Sequence, residues 1–316
     1  MSSTLTLADI RAAHERIRPH IVRTPVLASA ALDAASGGTL FFKCENLQAV
    51  GAFKARGATN AVFALPAAVA ARGVCTHSSG NHGAALARAA GLRGIPATIV
   101  MPRNAPRAKV ANVQRYGARI EFCEPTQQAR EAACARIVAE TGAALVHPFE
   151  DFAVMAGQGT AVLELLEEVP DLDLVLCPVG GGGLLAGTAV AAKGVRPRLR
   201  VVAAEPAQAD DAAQSFRAGR RVATTANTIA DGLRTVIGEP NLALARGRVD
   251  DIVTVSEAGI VAAMRQLWEE LRVIVEPSGA VPWGVVMENK VAVRGLRVGL
   301  ILTGGNVDLD RLPWQA

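Results

Sequence analysis

Residues 73–102 read GVCTHSSGNHGAALARAAGLRGIPATIVMP: a short apolar run, a polar turn rich in glycine, an alanine-rich stretch and a second apolar run. The first and last segments have the length and composition of buried strands, and the middle has that of a helix, so the stretch predicts a strand–helix–strand unit. The unit continues. APRAKVANVQRYGARIEFCE (105–124) predicts a further helix and strand, and TQQAREAACARIVAETGAALVHP (126–148) a third pair. Strands alternating with helices build a parallel sheet covered on both faces. Residues of about 73–148 are therefore expected to form a small subdomain with a parallel sheet.

A second unit of the same kind lies further on. GTAVLELLEEV (159–169) predicts a helix, DLDLVLCPVGGGGLLAGTAVAAKG (171–194) a strand, four glycines and a helix, and LRVVAAE (199–205) a strand. The remainder, from DDIVTVSEAG (250–259) to LRVGLILTGGNVD (296–308), is expected to add helices and a terminal buried strand. The chain is thus an α/β protein with two domains, for which 316 residues, half of them hydrophobic, provide ample core.

Composition removes several functions. A net charge of +4, with arginines scattered among acids, makes no basic stripe, and 4% aromatic residues supply no base-stacking platform, so no nucleic-acid partner is expected. No apolar run is long enough to span a bilayer, and the N-terminal stretch lacks the apolar core of a signal peptide. Cys44, Cys75, Cys123, Cys134 and Cys177 show no CxxC spacing and suit buried free thiols, so a cytoplasmic location is expected.

Three places carry chemistry. VGGGGLLAG (179–187) sits between a strand and a helix, where successive N–H groups and a helix start suit a phosphate; a flexible turn is the alternative. It does not match GxxxxGK[ST] and fits GxGxxG only loosely, which weakens a nicotinamide reading. SSGNHG (78–83) offers hydroxyls, an amide and an imidazole at another strand-to-helix junction, suited to a carboxylate or phenolate or else to capping the helix. The third is Lys54, in VGAFKARGATNAV (50–62). Only Lys43, Lys54, Lys109, Lys193 and Lys290 are lysines among 33 lysines and arginines. A desolvated lysine, unlike arginine, can lose its proton and form an imine; a solvated surface amine is the plain alternative. Phosphate cradle, polar loop and imine-forming lysine together call for pyridoxal phosphate.

The blocks ENLQAVGAFKARGATNAV, HSSGNHGAALARAA, GIPATIVMP, HPFEDFAVMAGQGTAVLELLEE, CPVGGGGLLAGTAV, TIADGL, VEPSGAV and LTGGNVD, in this order, resemble the serine racemase and serine/threonine dehydratase family of fold-type II pyridoxal-phosphate enzymes. The resemblance implies the tryptophan synthase β-like fold: two domains, each with a mainly parallel sheet flanked by helices. Residues 1–72 and 149–316 would form the large cofactor-binding domain and 73–148 a small mobile one. It implies that Lys54 holds the cofactor as an imine and later removes the Cα proton, that Phe53 packs near the ring, and that Gly180, Gly181, Gly182, Gly183 and Leu184 cradle the phosphate. Asn81 would bind the ring 3-oxygen, Thr303 would face the pyridine nitrogen, and Ser78, Ser79, Gly80 and His82 would receive the substrate carboxylate.

By the same resemblance, Ser79 would serve as a second base if the enzyme racemises, Arg130 would meet a second carboxylate on an acidic substrate, and Phe149 follows the dehydratase pattern. Ala52 and Thr303 depart from the commoner serines. AAEPAQADDAAQS (203–215) resembles a Mg²⁺ or Ca²⁺ site made by Glu205, the Ala209 carbonyl and Asp211; acids capping a helix start are the alternative. The expected reaction is elimination of water from L-serine or L-threonine to give a 2-oxo acid and ammonia. Racemisation and 3-hydroxyaspartate dehydration are the other readings, and a homodimer is expected.

Overall fold

The computed structural model describes residues 4–78, 80–105 and 107–315. The first part of the chain forms α1 (Leu7–Ile17), β1 (Val26–Leu27), α2 (Ala30–Ser36), β2 (Thr39–Lys43), α3 (Lys54–Ala64) and α4 (Ala67–Ala70). There follow β3 (Val74–His77), α5 (Asn81–Arg93), β4 (Ala97–Pro102), α6 (Arg107–Gln114), β5 (Arg119–Cys123), α7 (Gln127–Thr141) and β6 (Ala144–Leu145). The remainder is α8 (Phe152–Glu168), β7 (Leu174–Pro178), α9 (Gly183–Val195), β8 (Arg200–Pro206), α10 (Asp211–Ala218), α11 (Glu239–Ala245), β9 (Asp251–Val255), α12 (Glu257–Leu271), α13 (Pro277–Met287) and β10 (Arg297–Ile301).

The three strand–helix repeats of residues 73–148 appear as read, and their strands pair in the order β5-β4-β3-β6, all parallel. The other sheet has six strands in the order β1-β2-β10-β7-β8-β9, parallel except for the β1–β2 pair. Strands β2 and β9 were not expected from the sequence. TLFFK is a lone five-residue run outside the strand–helix repeats, although Gly37 and Gly38 precede it, and DIVTV is bracketed by acids that resemble loop.

Each sheet is buried on both faces, which explains the uninterrupted apolar runs. In β7, Val175 and Cys177 enter the core under α8 and α9, while Leu174 and Leu176 enter the one under α12 and α13. In the small sheet, Val74, Ile99 and Met101 pack with α5, and Cys75 and Val100 pack on the opposite side with Cys134 and Ile137 of α7. Helix α3 contributes Ala58, Ala61 and Val62 to the α5 core, so the chain around Lys54 is anchored to the small sheet's packing as well. All five cysteines are buried and free. Among the described residues no helix is long and apolar enough to cross a membrane.

Strand order also places the site. In an open parallel sheet, ligands bind beyond the carboxyl ends of strands where the winding direction reverses. In the small sheet that reversal is at β3, flanked by β4 and β6; in the large one it is at β7, flanked by β8 and β10. The loops leaving β3 and β7 are SSGNHG and VGGGG.

Four fully buried charges lock α3 to this frame. Arg56 donates through Nε and Nη2 to Glu45 at 2.7 and 2.8 Å, and through Nη1 and Nη2 to Glu164 of α8 at 2.8 and 2.7 Å. Lys43, at the end of β2, donates to Glu164 at 2.7 Å and to the Thr24 carbonyl at 2.7 Å. Two cations face two carboxylates, so the cluster is neutral with its donors engaged. Glu164→Gln leaves two cations against one anion, and a loss of about 3–5 kcal/mol in denaturant unfolding is expected; a loss below about 1 kcal/mol would show that the cluster does not hold α3.

Candidate active site

The backbone first brings Lys54 to the cleft. Ala52 forms an antiparallel bridge with Gly304, and the Phe53 amide donates to the Thr303 carbonyl at 2.9 Å. These bonds fix the segment entering α3 against the end of β10, so Lys54 and Thr303 arrive together. Thr303 is buried. Lys54 keeps part of its surface open, but its amine is packed among protein atoms, donating to the Pro148 carbonyl at 2.9 Å and lying 5.2 Å from the centre of the Phe53 ring. Burial with no carboxylate partner lowers its pKa to about 8. The fully buried Lys43 makes the contrast: it is paired with Glu164 at 2.7 Å. An amine intended for nucleophilic chemistry needs the first environment, not the second.

The loop 147–149 that supplies the Pro148 carbonyl is shaped by His147. Its Nδ1 accepts from the amides of Glu150 (3.0 Å) and Phe149 (3.4 Å), and burial, His77 and Lys54 hold its pKa down to about 4. The ring is neutral. Its edge meets Phe149 at 4.6 Å between centres, and it meets His77, at the end of β3, at 5.5 Å.

Gly180 to Gly183 lie between β7 and α9 in tight quarters. A Cβ on Gly180 would meet the Leu233 backbone at 2.9 Å, and one on Gly181 would run into the Phe149 ring. Gly182, at φ +88°, is the N-cap of α9 and makes no side-chain cap bond; Leu184 follows in its first turn. The start of α9 therefore presents free N–H groups from a segment that only glycine can form. The alternative of a loose turn does not describe this packing.

The SSGNHG loop has the same logic at α5. Its N-cap, Gly80, makes no side-chain cap bond, and open space faces its Cα. Gly83 is required because a Cβ there would strike the Ser78 carbonyl. Asn81 directs its amide to Glu276 and Asn306. His82 is buried, with Nε2 3.3 Å from the Val146 carbonyl and Nδ1 without a partner among the described residues; burial, then Lys54, keep its pKa well below the ordinary value. Ser79 lies outside the described residues. Arg130, in the first turn of α7, is half-buried, its Nε enclosed and without a hydrogen-bond partner, and its charge reaches His77.

The residues of the expected metal site are adjacent, and the capping alternative is also realised. Glu205 accepts from the amides of Ala212 (3.0 Å) and Ala213 (2.9 Å) at the start of α10, and Asp211 accepts from the Ile237 amide at 2.7 Å. Burial pushes Glu205 up to about 9 and Asp211 up to about 6, each further raised by neighbouring acids. Ala209 is fully buried beside them.

Sequence reasoning assigned no role to Glu276, Asn306, Asn241 or the Pro148 carbonyl. Glu276, Asn306 and Pro148 stand inside quoted blocks, VEPSGAV, LTGGNVD and HPFEDFAVMAGQGTAVLELLEE, but their partners lie 195, 225 and 94 residues away in the chain.

Comparison with known proteins agrees with this arrangement. Residues 17–304 match the family described as pyridoxal-phosphate dependent enzyme. The chain is 53% identical to a beta-hydroxyaspartate dehydratase of Paracoccus denitrificans over 98% of its own length and 99% of that protein. It is 49% identical to a serine racemase of Arabidopsis thaliana, covering 98% of this chain and 95% of that one. The solved maize serine racemase superposes with a TM-score of 0.96 at 48% identity, covering 99% and 96% of the two chains. The chain belongs to the pyridoxal-phosphate dependent enzymes, in their fold-type II branch.

Two outcomes follow. Neutral Lys54 is the reactive form, so the rate at which cofactor-free protein takes up pyridoxal phosphate, read from visible absorbance, should rise with pH and level off above about 8; a flat profile between pH 6 and 9 would contradict a desolvated amine. Glu205, with a folded pKa of about 9 against an ordinary 4.5, binds protons more tightly in the fold and costs stability as pH rises through that window. If it ligates a cation, Mg²⁺ or Ca²⁺ at pH 8 should raise the melting temperature, and Glu205→Gln should abolish the response.

Proposed function

We propose that the chain is an ammonia-lyase that eliminates water from β-hydroxy amino acids, and that its substrate is 3-hydroxyaspartate. Arg130 carries the choice of substrate: its half-buried guanidinium, whose charge reaches His77 at the end of β3, is suited to a second carboxylate. The dehydratase relative at 53% identity bears a name of the same chemistry. L-Serine and L-threonine offer Arg130 no such partner.

The residues fit pyridoxal phosphate. The glycines at the start of α9 let its backbone pack closely against Leu233, Phe149 and Asn241 while its first N–H groups suit a phosphate, and Lys54 offers a desolvated amine with no competing carboxylate. When bound, the cofactor supplies an aldehyde for amines and an electron-poor ring to accept the electron pair left at Cα. Gly180–Gly183 and the Leu184 amide would hold its phosphate, Phe53 would pack against the ring, Asn81 would bind the ring oxygen and Thr303 would face the ring nitrogen. A hydroxyl partner there does not enforce protonation of that nitrogen, which favours loss of a β-substituent over prolonged delocalisation.

The substrate α-carboxylate would lie at the open start of α5, on Ser78, Ser79, Gly80 and the neighbouring amides. Lys54, neutral once displaced from the cofactor, takes the Cα proton. The β-hydroxyl leaves as water, and the released enamine hydrolyses to a 2-oxo acid and ammonia. Glu205, the Ala209 carbonyl and Asp211 would hold Mg²⁺ or Ca²⁺ away from the reacting atoms, as a structural or activating ion.

Serine racemisation is the second reading, favoured by the maize structure's likeness. The test compares 2-oxo acid, ammonia and enantiomer formation from 3-hydroxyaspartate isomers, L-serine and L-threonine, with Lys54→Ala as the blank. 3-Hydroxyaspartate should be turned over at least tenfold faster, in kcat/KM, than serine, and Arg130→Ala should abolish that preference while sparing serine. D-Serine accumulating faster than pyruvate would favour the racemase.

A further inference from the structure

Asn81, assigned above to the cofactor's ring oxygen, belongs to α5, yet both ends of its amide are held from the opposite sheet's side of the cleft. Its Nδ2 donates to the two oxygens of Glu276 at 3.0 and 3.3 Å, and its Oδ1 accepts from Asn306 Nδ2 at 2.9 Å. Asn306 is itself fixed: its Nδ2 also donates to the Val50 carbonyl at 2.8 Å, and its amide donates to Glu276 at 3.2 Å. Val50 adopts φ +59°, costly for a β-branched residue, in the turn that presents its carbonyl to Asn306.

The clamp has no room to relax. Glu276 is buried, and a Cβ on Gly304 would collide with its carboxylate. A Cβ on Gly51 would lie 2.6 Å from Asn306 Oδ1. These partners admit one orientation of the Asn81 amide. A carboxylate only accepts and the Asn306 amino group only donates, so a flipped Asn81 would set oxygen against oxygen and N–H against N–H.

We propose that Glu276 and Asn306 are positioning residues, which fix the amide of Asn81 so that its second N–H is held toward the phenolic oxygen of pyridoxal phosphate. The inference rests on the cofactor reading above. It also assigns work to a buried carboxylate that the elimination chemistry does not use.

The charged groups facing Glu276 are few. Asp231 raises its affinity for protons, and Lys109 opposes this from across the cleft while itself paired with Asp231 at 2.5 Å. With burial dominant, the Glu276 pKa rises to about 7, so the clamp is half-ionised near neutrality, gains its charge as pH rises and loses it as pH falls. Protonation converts one acceptor into a donor and loosens the hold on Asn81.

The experiment uses holoenzyme and reads the cofactor's visible absorption spectrum from pH 5.5 to 9, together with its dissociation constant. Variants are Glu276→Gln, Asn306→Ala, Asn81→Ala and the double Asn81→Ala/Glu276→Gln. Glu276→Gln and Asn306→Ala should each move the spectrum toward that of Asn81→Ala and weaken cofactor affinity about tenfold. The wild-type spectral transition near pH 7 should vanish in Glu276→Gln. In the Asn81→Ala background, Glu276→Gln should add nothing, because it acts through the residue already removed.

Equal and additive effects in both backgrounds would overturn the proposal, as would single variants with wild-type spectra and affinity. If Glu276→Gln does not fold, Asn306→Ala decides by the same criteria. An unchanged spectrum in Asn81→Ala would remove Asn81 from the cofactor and the proposal with it, whereas absence of any cofactor band in wild type would instead defeat the reading on which both rest.

Discussion

The neutral cluster of Lys43, Glu45, Arg56 and Glu164 is the constraint on which the site depends. Ionised groups cannot be left unpaired in an apolar interior, so β2, the turn after it, α3 and α8 must meet in the one arrangement that pairs all four. Lys54 is two residues before Arg56, and its position follows from that pairing. The cluster also absorbs the other buried lysine. Polar matching within the core thus separates an ion-paired amine from a desolvated one, although both are lysines in apolar surroundings.

Much of this was legible in the sequence, for a physical reason. Strands buried on both faces must be continuous apolar runs, and loops that admit a ligand to the backbone must be glycine, so β3, β7, their helices and the two glycine loops could be read directly. The expected free, buried cysteines are also found. Strand β2 escaped because it is a lone short run outside the strand–helix repeats, and β9 because its flanking acids resemble a loop. Glu276 and Asn306 escaped for a different reason. Nothing in VEPSGAV or TGGNVD distinguishes a buried acid from a helix cap; only the fold shows which distant amide each one meets.

Glu205 gives an instructive intermediate case. Its sequence context admitted two roles, cation ligand and helix cap, and the structure shows the cap directly. A carboxylate has more lone pairs than two N–H groups use, so the roles are compatible, and the raised pKa reflects burial first and the neighbouring Asp211 and Asp210 after it.

Helices α5 and α9 both begin on glycines that make no side-chain cap bond. Anions common to every substrate and to the cofactor would thus be received in part by main-chain atoms, whose donors no shift in acidity can neutralise. Side chains such as Arg130 would then be left to meet what differs between one amino acid and another. A new specificity is within a few substitutions of an old one, while the shared apparatus is protected by being made of backbone.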